Sequence, residues 1–233
     1  MKIIGISASP RKGSNSGILL DHGASAIATE VEHYRLRECG FSKCRACDTC
    51  TGEHCVNEDD ADALWEKIAH KDCIGLFISV PVWFATGGGE WSKFLFRSRK
   101  ERHANYALRC KPFACAAVAG RRDGGGELTI DGIHRSMRHH GMMGIGNLYD
   151  SCHHGCVAIA SKPGDVIHDT LGMDRAISTM RSLELSAWIY HRGITGLEFV
   201  EPKFCPDSGT MADLQRRFSA SMDDNEPLSD REI

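Results

Sequence analysis

The sequence has no apolar run long enough to cross a bilayer, which excludes a membrane-spanning helix. It also lacks a dominant sign of charge. Its 28 Lys and Arg against 31 Asp and Glu leave a net charge of −3, so nothing draws the chain to nucleic acid or to an anionic membrane. The local basic run Arg97-Ser98-Arg99-Lys100 reads as a solvated face. No secretory leader is visible: Met1 to Ser7 enters a strand pattern directly, without an apolar segment and small-residue cleavage site, and a cytoplasmic location is expected. No repeat and no linker interrupts the chain. One domain is expected over residues 1–200, then a polar, aperiodic tail over 201–233. Its last stretch, Asp223–Ile233, is expected to be disordered or to lie on a neighbouring subunit.

Cysteine, by contrast, is abundant, with 11 in the chain. A reducing compartment rules out a disulfide framework. Cys73 and Cys115 sit within apolar strand patterns and read as small core residues. Cys44, Cys47, Cys50 and Cys55 are different. Their C-x2-C-x2-C-x4-C spacing can turn several sulfurs toward one point, and converging thiolates bind a soft metal centre. Zinc and an iron–sulfur cluster both meet that description.

Apolar runs alternate with helical patterns along the rest of the chain. Strands are expected at Lys2–Ser7, Val31–Arg37, Cys73–Val80, Pro112–Ala119 and Met143–Gly146. Helices are expected at Gly17–Ala28, Asp59–Ala69, Glu90–Arg99, Glu127–His139 and Asp169–His191. Continuous apolar strands need cover on both faces, so the pattern predicts an α/β fold with a parallel sheet. Five such units suit the flavodoxin-like doubly wound order 2-1-3-4-5. The cysteine-rich loop, residues 39–58, then follows strand two.

Ligands of such sheets bind beyond the C-terminal ends of the strands, and three loops there carry chemistry. Ser7 to Ser16, S-A-S-P-R-K-G-S-N-S, opens the first helix. Hydroxyls, amides and Arg11 at a helix N-terminus make an anion pocket suited to phosphate. The loop is neither G-x-x-x-x-G-K-[ST] nor G-x-G-x-x-G, which argues against a P-loop nucleotidase and a Rossmann dinucleotide site. After strand three, Pro81-Val82-Trp83-Phe84 can flank a planar ring, although an aromatic pair on a turn is also ordinary core. After strand four, Gly120-Arg121-Arg122-Asp123-Gly124-Gly125-Gly126 lets backbone N–H groups approach a ligand.

The stretches G-I-S-A-S-P-R-K-G-S-N-S, P-V-W-F, R-R-D-G-G-G-E and H-G-M-M resemble, in the same order, motifs of the NAD(P)H-dependent FMN reductases. The cysteine run followed by Asp59-Asp60 resembles the iron–sulfur flavoprotein branch of that family. The likeness spans residues 1–190. It implies FMN with its phosphate against Ser9, Arg11, Ser14, Asn15 and Ser16. Its ring would lie against Pro81, Val82, Trp83 and Phe84, with Gly120, Arg121, Gly124 and Gly125 near the pyrimidine edge. It implies a [4Fe–4S] cluster on Cys44, Cys47, Cys50 and Cys55, a homodimer or homotetramer, and electrons passed between NAD(P)H or a ferredoxin-like donor and a small-molecule acceptor. No side-chain general acid is expected to be indispensable. Ser16 stands where the family often has Thr, and Trp83 where Tyr is common.

Rival readings share these residues. Structural zinc sites usually pair two C-x2-C knuckles across a longer gap, whereas consecutive C-x2-C steps resemble ferredoxin spacing. Bare thiols would leave a plain NAD(P)H:FMN or quinone reductase. A non-catalytic electron carrier or redox sensor could hold the same cofactors. The polar stretch Lys100–Arg109 reads as an inserted substrate or partner loop. His139-His140 reads as favourable charge at a helix end. His191 reads as a cap on the closing helix. Cys152-His153-His154-Gly155-Cys156 reads as a polar loop, with a second metal site or a proton-donating entrance as the functional alternatives.

Overall fold

The computed structural model describes residues 1–52, 55–104, 106–146, 148 and 153–196. Uninterrupted aliphatic segments form the central strands β1 (Lys2–Ser7), β3 (Cys73–Pro81) and β4 (Pro112–Ala119), and these are buried almost throughout. The shorter, half-buried β2 (Val31–Arg35) takes the edge beside β1. All pairings are parallel, in the order β2-β1-β3-β4-β5. This is the flavodoxin-like α/β arrangement expected from the alternation of strand and helix.

Adjacent strand residues feed opposite faces, as a period of two requires. Ile3, Ile74 and Phe77 pack with Leu19 and Leu20 of α1 (Asn15–Ala24) and Met180 and Leu183 of α6 (Thr170–Gly196). Ile4, Ile6 and Ile78 pack on the other face. There they meet Trp65 and Ile68 of α2 (Asp60–Ala69), Phe94 of α3 (Gly88–Arg97) and Ile133 of α5 (Gly126–Arg138).

Several expectations need correction. The fifth strand position is divided: β5 (Met143–Gly144) pairs with Pro112 and Phe113, and β6 (Cys156–Ile159) pairs with Ala116 to Ala119 on the same edge of β4. Cys156 is therefore a fully buried strand residue rather than part of a polar metal loop, while Cys152 lies outside the described residues. The first helix starts at Asn15, two residues early, because Ser14 caps it by accepting from the Gly17 N–H at 3.1 Å. The closing helix runs on to Gly196, so His191 is not its cap.

The basic run is not a solvated face. Arg97 and Lys100 are buried, with Ser98 and Glu101, where α3 gives way to the short α4 (Arg99–His103). Lys100 Nζ lies 2.9 Å from Asp62 and 2.9 Å from Glu66, and these acids keep it charged against the cost of burial. The start of the stretch read as an inserted loop is thus packed structure. His140 is not a helix-end cation either. It stacks on Trp65, its Nε2 is 2.8 Å from Ser98 Oγ, and burial pulls its pKa down to about 4.

By its contacts the chain divides into Met1–Arg192 and Gly193–Ile233. The expected boundary at 200 and the polar tail lie outside the described residues.

Candidate active site

The C-terminal ends of β1, β3, β4 and β6 open on a cavity of about 260 Å³. Its floor comes from the turn after β1. Ser9, Arg11, Ser14, Asn15 and Ser16 all line it. The first turn of α1 leaves backbone N–H groups without intrahelical partners, and its positive end favours an anion. Some of the polar side chains have other duties. Ser9 Oγ accepts from the Arg11 N–H at 3.3 Å, and Ser14 is the helix cap. Asn15 Nδ2 donates to the Lys162 carbonyl at 2.8 Å, so this amide ties the turn to the loop after β6. Ser16 is buried, and its carbonyl accepts from the Ser79 hydroxyl on β3 at 2.8 Å.

The wall comes from Pro81, Val82 and Trp83 at the end of β3 and from Val118 and Gly120 at the end of β4. Val82 N–H donates to the Val118 carbonyl at 2.9 Å, which joins the two loops. Trp83 and Thr86 exchange backbone hydrogen bonds of 2.9 Å across a tight turn in which Phe84 and Ala85 have φ of 49° and 59°. Phe84 is 99% exposed at its tip and does not line the cavity. Arg121, Gly124 and Gly125 also stay outside its lining. Gly125 instead supports the Trp83 turn: at φ 86°, a Cβ there would meet Ala85 Cβ at 2.6 Å.

Ala160, Ser161 and Pro163 complete the cavity from the loop after β6. Sequence reasoning missed them because it placed the last strand at Met143–Gly146. The short apolar run Cys156-Val157-Ala158-Ile159 was the signal that could have found them.

The cysteine segment leaves the sheet after β2 and is anchored at its base. Asp59, the cap of α2, accepts from the Ser42 N–H at 3.0 Å, and Asn57 Nδ2 donates to the Lys43 carbonyl at 3.2 Å. Within it, Ala46 and Asp48 take left-handed φ of 51° and 59°, one in each two-residue spacer. The Ala46 N–H donates to Cys44 Sγ at 3.4 Å. Cys47 is exposed, and the Thr49 hydroxyl 3.1 Å from its sulfur lowers its pKa. Burial raises that of Cys50, against the pull of Arg99, and Cys44 and Cys55 are near enough to act on it. The donor set thus fits a soft centre in chemistry. Among the described residues, no three Cys, His, Asp or Glu side chains are gathered as a single metal ion requires.

A doubly wound parallel sheet in this order, with a helix-terminus turn and a ring-sized wall at its C-terminal edge, defines a flavodoxin-like fold. The B. subtilis Trp repressor binding protein shares it, with a TM-score of 0.56 at 20% identity over 76% of this chain and 97% of that one. The chain belongs to the NADPH-dependent FMN reductase family, whose sequence profile matches residues 1–154. It is therefore a flavin-dependent oxidoreductase by family. It is 33% identical to an iron-sulfur flavoprotein of Methanocaldococcus jannaschii over 76% of this chain and 92% of the relative. It is 34% identical to an iron-sulfur flavoprotein of Methanosarcina thermophila over 78% of this chain and 93% of that protein. No helix among the described residues is long and apolar enough to cross a membrane.

Proposed function

We propose that the chain binds FMN in the cavity at the sheet's C-terminal edge and a [4Fe–4S] cluster on Cys44, Cys47, Cys50 and Cys55. It passes electrons between NAD(P)H or a ferredoxin-like donor and a small-molecule acceptor, as a homodimer or homotetramer. The observation that carries this reading is the cavity itself, which brings the N-terminal turn of α1, with Arg11, beside Pro81, Val82 and Trp83. The names of the two relatives support the cluster.

When bound, the flavin would supply two-electron and one-electron exchange and the cluster one-electron exchange. The chain's own part is binding and exclusion of water. Arg11, the hydroxyls of the first turn and the free N–H groups of α1 hold the phosphate. Pro81, Val82 and Trp83 cover one face of the ring. Gly120 brings backbone close to its edge without a side chain in the way. The consecutive C-x2-C steps of Cys44, Cys47 and Cys50 suit a cluster better than zinc, whose structural sites usually pair two C-x2-C knuckles across a longer gap.

Iron, zinc, sulfide and flavin per chain, measured on protein isolated without oxygen, test the proposal. Iron, sulfide and FMN should all be present, and Cys47→Ser should lose iron while keeping flavin. A yellow, iron-free protein would remove the cluster and leave a plain flavin reductase. Zinc in place of iron would overturn the electron relay.

A further inference from the structure

Arg97 is 3% exposed, an unusual place for a guanidinium. Its Nη1 donates to the Ser42 carbonyl at 2.9 Å and to Asp59 Oδ2 at 2.7 Å, and its Nη2 donates to the Asn57 carbonyl at 2.5 Å. Ser42 lies just before Cys44 and Asn57 just after Cys55. One side chain from α3 therefore ties together both ends of the segment that carries all four thiols. Its Nε is buried and has no hydrogen-bond partner among the described residues. A guanidinium keeps its proton in a protein, and the Asp59 carboxylate beside it offsets the cost of burying that charge. Two residues on, Arg99 pairs with Asp48 inside the cysteine segment.

We propose that Arg97 is a positioning residue for the cysteine site, closing the base of the loop and setting the reduction potential of the centre it holds. The proposal rests on the cluster reading above. Reduction adds one electron and no proton to a cluster, so the reduced form is the more negative by one charge. A fixed positive charge in a poorly screened site stabilises that form and raises the potential. Arg99 acts in the same direction, but its side chain is 41% exposed and its field is screened by water and salt. The planar fork matters separately from the charge. It meets three acceptors at once, which a single ammonium on a flexible stem does not reproduce.

The test uses the full chain, prepared without oxygen, as wild type, Arg97→Lys, Arg97→Gln and Arg99→Gln. Three quantities are read. They are iron and FMN per chain, the cluster potential from a dithionite titration followed by electron paramagnetic resonance, and tryptic nicking at Lys43 and Arg45 in iron-free protein. Arg97→Gln should nick roughly ten-fold faster, since nicking tracks local opening. It should also keep its FMN, hold less iron and show a more negative potential in the cluster that remains. Arg97→Lys should nick faster as well but keep a potential near wild type. Arg99→Gln should nick like wild type and shift the potential less than Arg97→Gln. An unchanged potential in Arg97→Gln would overturn the charge role, and unchanged nicking would overturn the closure. If Arg97→Gln fails to fold, Arg97→Lys decides: wild-type nicking there refutes the clamp. If wild-type protein holds no iron, the cluster reading has failed on its own, and the nicking comparison still decides the clamp.

Discussion

Arg11 sits on the rim of the cavity, where its charge would meet the phosphate without a competing carboxylate in the lining. Arg11→Ala should weaken FMN binding by about 1.5–3 kcal/mol, roughly ten- to 150-fold in Kd. Calorimetry or quenching of flavin fluorescence measures it, and an unchanged Kd would refute the phosphate assignment. His140 carries a second prediction at this scale. Burial beside Trp65, with the charges of Arg102 and His139 nearby, depresses its pKa from 6.5 to about 4. Above 6.5 both folded and unfolded chains hold it neutral, so its contribution to stability is complete there. Between 6.5 and about 4 the unfolded chain takes up a proton that the folded chain refuses. Stability should therefore fall with falling pH across that window, by at most about 3 kcal/mol from this group. Urea midpoints at pH 7 and pH 5 should differ more in wild type than in His140→Gln; equal differences would contradict the assignment. Residues of this kind were unevenly legible. The Ser9–Ser16 turn announced itself because hydroxyls and an Arg at a helix start have a local meaning. Arg97 and His140 did not, because their partners Asn57, Asp59, Trp65 and Ser98 are distant in sequence and only the fold buries them together.

Among the elements, the turn from Trp83 to Thr86 and the start of α5 act as one piece. Gly125 adopts φ 86°, and its missing Cβ leaves room for Ala85. Gly125→Ala should cost about 1–2 kcal/mol in backbone strain, with a further cost from the clash. It should lower Tm and also weaken FMN binding by shifting the wall at Trp83. A lowered Tm with unchanged affinity would separate the turn from the cavity, and no change in either would contradict the packing. The long apolar strands β1, β3 and β4 were readable because burial on both faces leaves an unbroken hydrophobic run. The last strand was readable only in part: Met143–Gly144 falls within the expected Met143–Gly146, and Cys156–Ile159 was missed. Its position is filled by two-residue β5 and four-residue β6, separated by the chain between them, and neither piece is long enough to show a period. That error also hid the loop at Ala160–Pro163, which closes the cavity.

For the whole molecule, the parallel sheet with helices on both faces sets where ligands meet the protein, and the cysteine segment leaves from the same molecule after β2. The two sites need not lie within one protomer to exchange electrons, which is why a homodimer or homotetramer belongs to the proposal. Residues 201–233 are proposed to stand apart from cofactor binding. Removing them should leave FMN and iron per chain unchanged, and loss of either on truncation would assign the tail to a site. The central claim is that a mononucleotide's phosphate docks where β1 turns into α1. A crystal structure at saturating FMN tests it most directly. Phosphate density is expected against Arg11 and the first N–H groups of α1, with the ring along Pro81–Trp83. Flavin bound elsewhere, with that turn empty, would contradict it.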